Sequence, residues 1–226
     1  MSWTFIQSAS AASNAVSLTG VGAGNLIIFY IKHEGTTASG DITVSDGTSN
    51  FTGGTYVFHG SGDLGGQMWY LLSANSGNKT YTATFGTSKS FYSCDVMEYS
   101  YSGTASFDTQ NTNSGNGTTP TTGNITTTGS TILVACAHGN YNGQTSNTEL
   151  VGGSAANQAV RQGSNGSSLW TKTGSLSAQG GQCTIGTTNW LGHIMSFNET
   201  AGGGPPPTDV VIGKRMLGVI YHPRSY

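Results

Sequence analysis

Charge is what this 226-residue chain has least of. Only 8% of its residues are Asp, Glu, Lys or Arg, against roughly a quarter in an average globular protein, and the net charge is −2. Binding nucleic acid takes a concentrated basic surface. The eight basic residues are scattered except for Lys214, Arg215 and Arg224, which argues against that partner. Long apolar runs are missing too. The stretch from Leu26 to Ile31 falls far short of the ~20 residues of a membrane span, so no membrane is expected.

Chemistry-bearing spacings are equally scarce. The three cysteines, Cys94, Cys136 and Cys183, cannot all pair and show no zinc spacing. Cys94 and Cys136 sit in apolar strand patterns and read as buried free thiols, which points to folding in a reducing compartment. The histidines at 33, 59, 138, 193 and 222 offer no His-x-His or His-x-x-x-His pair, so no metal is expected. His33 and His138, near the ends of corresponding strands, read as structural. Asp95 and Glu98 would point to opposite faces of one strand and cannot work as a carboxylate pair. Asp41 and Asp46-Gly47 read as turn residues without a metal. Neither a nucleophile elbow nor a phosphate loop occurs. The expectation is a non-enzyme without cofactor. The start, Met-Ser-Trp-Thr-Phe-Ile-Gln-Ser, lacks the charged and apolar regions of a secretory signal.

What the chain does have is glycine, hydroxyl and aromatic residues: 35 Gly, 32 Thr, 28 Ser and 22 Phe, Trp and Tyr. Threonine and aromatics favour strands, while Gly, Ser and Asn favour turns. Short runs between turn clusters predict strands near 3–8, 14–19, 25–33, 41–45, 55–59, 67–73, 79–85 and 91–100. The second half predicts them near 105–110, 122–127, 130–137, 148–151, 158–162, 167–173, 181–185 and 189–198. No window carries a 3.6-residue apolar period, so almost no helix is expected. Leu26–Ile31 and Ile132–Ala137 are apolar on both faces, as in central strands covered on both sides. Asn111–Pro120 reads as a polar low-complexity linker exposed to solvent.

The second half is a faint copy of the first. Asn25–Phe29 aligns with Thr131–Ala135 at an offset of 106, Gln67–Trp69 with Ser168–Trp170 at 101, and Tyr92–Tyr99 with Trp190–Phe197 at 98. Matched Trp69 and Trp170 read as two parts of a core. The expected fold is all-β: a two-sheet antiparallel β-sandwich, or jelly roll, built from two similar halves. The domain would span 1–200, with halves of about 3–103 and 104–200. A Gly/Pro linker at 201–208 would lead to an extended arm at 209–226. Tyr101 and Tyr141, beyond strand ends, are candidate glycan contacts. In the arm, Val210, Ile212, Leu217, Val219 and Tyr221 are candidate apolar docking residues. Lys214, Arg215 and Arg224 would meet the partner surface.

The run Ala-Gly-Asn-Leu-Ile-Ile at 23–28, Gln-Met-Trp-Tyr at 67–70 and Val-Met-Glu-Tyr-Ser at 96–100 resembles the Gly/Ser/Thr-rich β-sandwich proteins of tailed-phage virions and related environmental domains. The likeness covers residues 3–200 in outline and contains no catalytic motif. It implies display on a particle: a capsid decoration or fibre-type protein, assembled in the host cytoplasm and anchored to other virion subunits or copies of itself. The alternative is an extracellular carbohydrate-binding module or adhesin that contacts host-surface glycans.

Overall fold

The computed structural model describes residues 2–35, 41–60, 63–87, 89–141, 146–162, 166–175 and 178–201. The first half supplies β1 (Thr4–Ala11), β2 (Ala15–Val21), β3 (Leu26–Glu34), β4 (Ile42–Ser45), β5 (Thr52–Gly53), β6 (Val57–His59), β7 (Leu64–Leu71), β8 (Gly77–Phe85) and β9 (Ser90–Ser100). The second supplies β10 (Thr104–Gly117), β11 (Thr121–Thr126), β12 (Ile132–Asn140), β13 (Asn147–Val151), β14 (Ser154–Ala155), β15 (Gln158–Gln162), β16 (Ser167–Gly174), β17 (Ala178–Thr184) and β18 (Thr188–Thr200). All ladders are antiparallel, and the described residues contain no α-helix. All sixteen expected strand regions are found, joined by the two-residue strands β5 and β14.

The expected all-β antiparallel architecture is what the chain forms, but the count of two sheets is corrected to four. An inner sheet ordered β1-β9-β3-β7-β5, with β6 also on β7, is backed by an outer sheet β2-β8-β4. A second inner sheet, β10-β18-β12-β16-β15, is backed by an outer sheet β11-β17-β13-β14. Three apolar layers separate the four sheets. Ile27, Phe29 and Ile31 pack towards Val16, Val44 and Tyr81 of the first outer sheet. On the opposite face of β3, Leu26, Ile28 and Tyr30 meet Leu133, Ala135 and Ala137 of β12. Behind β12, Val134, Cys136 and Trp170 pack towards Ile125, Val151 and Cys183. This accounts for two central strands apolar on both faces. A two-layer sandwich leaves one face of each sheet wet, so both β3 and β12 need cover on two sides.

The inner sheets face each other in reversed order. Strand β1 lies over β15 and β9 over β16, while at the other side β10 lies over β6 and β18 over β7.

Register refines the alignment of the halves. Phe29 pairs with Trp69 and Val96, and Cys136 pairs with Trp170 and Ile194. Phe29 therefore corresponds to Cys136, an offset of 107, whereas the apolar pattern suggested 106. A slip of one residue exchanges the faces of a strand, and a strand apolar on both faces conceals that slip. Both first strands also carry a bulge at the same place, at Ile6 between Phe5 and Gln7, and at Asp108 between Phe107 and Thr109.

The expected linker at 111–120 is also corrected. Asn111 to Gly117 continue β10, paired residue by residue with Ile194 to Thr188 of β18. Asn and Gly are poor strand formers, but the long β18 supplies backbone partners for the whole stretch. Its side chains face solvent or sit half-buried.

Candidate functional site

The strands give the molecule two distinct ends. At one, Phe91 opens β9 and Tyr141 follows β12. The two inner sheets meet there, since a Cβ built on Gly139 would lie 2.7 Å from Lys32 Cγ. Phe91 is 65% and Tyr141 38% exposed. Phe91 also holds φ at 51°, a left-handed conformation that a bulky residue rarely adopts. It sits where the β3–β9 register shifts, so the irregularity turns its ring outward.

At the opposite end, β18 finishes at Thr200 and the chain leaves towards the arm. Tyr101 lies here, with its hydroxyl donating to Leu72 O and its ring 5.4 Å from that of Trp3. The two candidate glycan contacts therefore stand at opposite ends, and they do not form one site. The arm residues Val210, Ile212, Lys214, Arg215, Leu217, Val219, Tyr221 and Arg224 lie outside the described residues.

Between the halves, near the end where the arm departs, is a slot of about 220 Å³ lined by Trp3, Phe5, Tyr99, Asn157, Gln158 and Thr173. Each element contributes for a local reason. The bulge after Phe5 lets Trp3 and Phe5 face the other half before β1 continues. Tyr99 stands edge-on to Phe5 at 5.6 Å, and its hydroxyl is hydrogen-bonded to Thr171 Oγ1. Asn157 is fixed by its Oδ1, which accepts from Thr173 N at 2.8 Å. Aromatic walls with a few neutral polar groups are the usual make-up of a binding cleft. Of these residues the sequence pointed only to Tyr99, as a ring able to stack on a sugar; the slot joins segments more than 150 positions apart in the chain.

A second depression, about 510 Å³, lies along the second outer sheet and is lined partly by Asn124, Gln179, Gln182 and the glycines at 123, 152, 180 and 181. It offers carboxamides but no aromatic ring.

The titratable groups inside the molecule are sealed. Asp95, fully buried, accepts from Ser167 Oγ at 2.6 Å. Burial pushes its carboxyl up to about 7, although the Ser167 hydroxyl pulls the other way. Glu98 points to the opposite face, where it accepts from Gly22 N and Asn25 Nδ2, so the two carboxylates do not converge. His33, His138 and His193 are all buried, and burial lowers each to about 4. His138 is held by Ser168 and Asn140, and His193 by Gly66 O. His33 and His138 do not occupy corresponding positions, because the register matches Ile31 to His138. The three thiols are buried, and burial raises each above its ordinary range. Among the described residues no three His, Cys, Asp or Glu side chains are grouped to hold a metal ion. Comparison with protein-family models, curated proteins and solved structures found no match.

Proposed function

We propose that this chain is a non-enzymatic structural protein of a virus particle, a capsid decoration or fibre-type surface protein, anchored to neighbouring subunits through residues 209–226. The observation that carries the reading is polarity. The arm departs from one end of the four-sheet body, and the exposed rings of Phe91 and Tyr141 stand at the other. A body tethered at one end and presenting aromatic rings at the far end suits display on a surface. We read each half as a jelly roll, because the first, last, third and sixth of its eight main strands lie side by side in both inner sheets. The matching bulges at Ile6 and Asp108 support a duplicated unit. The partners would be other virion subunits or further copies of this chain.

Removing residues 205–226 tests the reading. The expected result is a folded protein with nearly unchanged melting temperature that no longer joins the particle. Unfolding of the truncated chain would place the arm in its own core and end the docking idea. The second reading, a glycan-binding module, is favoured by the aromatic slot and by Tyr141, and a blank glycan array for the intact protein would dispose of it.

A further inference from the structure

The reversed stacking of the two inner sheets supplies an internal control for the slot. Tyr70 pairs with Ile28, and Thr171 pairs with Ala135; both partners are in turn paired with a methionine, Met97 and Met195. Tyr70 and Thr171 are therefore counterparts. By the same registers Phe5 and Tyr99 correspond to Phe107 and Phe197. At the Phe107 side the place is filled: the Tyr70 ring lies parallel to Phe107, 2° between planes and 5.3 Å between centroids, and edge-on to Phe197. At the Phe5 side the residue is the buried Thr171, whose hydroxyl is hydrogen-bonded to that of Tyr99 and lies 3.9 Å from Met97 Sδ. One half thus carries a phenol ring where the other carries a threonine, two residues before the Thr173 that lines the slot.

We propose that this slot receives the ring of Tyr221 from the C-terminal arm of a second copy. The proposal rests on the anchoring role given to the arm and names its partner. Three observations favour this occupant. A tyrosine already fills the equivalent place, so a phenol stacked on Phe5 matches a packing the fold uses, with Asn157 and Gln158 amides near its hydroxyl. The slot opens beside β1 and β15, which end their sheets with one edge unpaired among the described residues and stack on each other. An extended segment can add to such an edge, with Leu217, Val219 and Tyr221 all on one face. Charge also complements: residues 1–200 hold five basic and nine acidic side chains, −4, and residues 209–226 hold three basic and one acidic, +2.

The test uses the full chain with a photoreactive benzoylphenylalanine in place of Tyr221, mixed as isotopically heavy and light copies. Heavy-to-light cross-links to the segments around Phe5 and Asn157 are expected, and Tyr221→Ser should weaken association between copies at least tenfold without touching the folded body. Thr171→Tyr, which supplies the ring from within, should abolish the cross-link. If that variant fails to fold, Gln158→Trp at the slot mouth takes its place. Cross-links confined to one chain, cross-links elsewhere, or unchanged association of Tyr221→Ser would each overturn the proposal. So would protection of the slot by methyl glucoside in the absence of any arm cross-link. Loss of particle binding on deleting 205–226, together with normal association of Tyr221→Ser, would leave the anchoring role standing and remove the slot as its receptor.

Discussion

The connection from the second to the third strand is clamped by a carboxylate in both halves, but by a different residue in each. In the first half Glu98, on β9, accepts from Gly22 N at 2.8 Å, Asn25 Nδ2 at 2.6 Å and Gln7 Nε2 at 2.6 Å. In the second half Ser196 stands at the matching position, and the acid is Asp108 at the bulge of β10. Asp108 accepts from Thr128 Oγ1 at 2.6 Å, Thr128 N at 3.2 Å and Ser196 Oγ at 3.0 Å. The counterpart of Asp108 is Ile6, exposed to solvent. Strand order, bulge and the faces of the central strands agree between the halves, while the polar groups that tie them have moved. The shared constraint is on backbone and apolar packing.

The tryptophan pair is the strongest way to sharpen that comparison. Trp170 is fully buried and donates from Nε1 to Leu150 O, whereas Trp69 is 7% exposed and its indole nitrogen has no partner. Trp170→Ala should cost about 3–5 kcal/mol, and Trp69→Ala clearly less, as measured by chemical denaturation. Equal losses would mean that the two outer layers are packed alike despite this difference.

This pair also marks what the sequence makes legible. Matched tryptophans, strand positions and turn clusters are local patterns, and local patterns revealed sixteen strands. The number of layers is a tertiary property, yet a signal for it existed: Leu26–Ile31 and Ile132–Ala137 are apolar on both faces, and two such strands in facing sheets require four layers. The parity of β3 against β12 was not legible, because a doubly apolar strand looks the same after a slip of one. The pairing of Asn111–Gly117 was hidden for the opposite reason. Its residues have weak strand preference, and β18 imposes the conformation. The slot depended on residues of both halves meeting, which no single segment displays.

Titration of the buried groups comes next. The folded value of Asp95, about 7, lies above the ordinary carboxylate value. The native state therefore keeps a proton that the unfolded chain releases. Its contribution is complete below pH ~4 and is lost as pH rises through 7, on the order of 4 kcal/mol. The buried histidines act in the opposite sense: folded values of about 4 give a contribution complete above pH ~6.5 that fades as pH falls towards 4. Stability should peak near pH 6–7. Asp95→Asn should abolish the decline above pH ~6.5 and steepen the acid limb between pH ~4 and 6.5, where the carboxyl and the histidines act against each other. An unchanged alkaline limb would show that Asp95 ionises freely in the folded protein.

The clamps themselves come third. Glu98 is fully buried, so Glu98→Ala strands several donors away from water and should cost about 2–3 kcal/mol. Asp108 is only half-buried and its partner Thr128 is exposed, so water can replace it and Asp108→Ala should cost about 1 kcal/mol. Reversal of that order in urea melts would contradict the unequal burial of the two acids.

The smallest effect concerns a feature that the halves do not share. Phe91 corresponds to Asn189 by the β9–β18 offset of 98. The β12–β18 ladder runs through Asn189's neighbour Trp190 without a shift, and Asn189 is not among the positive-φ residues. Of the two, only Phe91 is held left-handed, with its ring mostly in water. Such a conformation costs an L-residue about 1–2 kcal/mol, and an exposed ring returns little packing. Phe91→Gly removes the steric penalty at the cost of a more flexible unfolded chain, so a net gain of about 0.5–1 kcal/mol is expected. If the strained ring is a contact for something outside the molecule, the same variant will be more stable and bind its target surface less well. A stability gain with unaltered attachment would assign the ring no role at that end. A loss of stability would show that Phe91 packs on its own body, and the outward display of this end would then rest on Tyr141 alone.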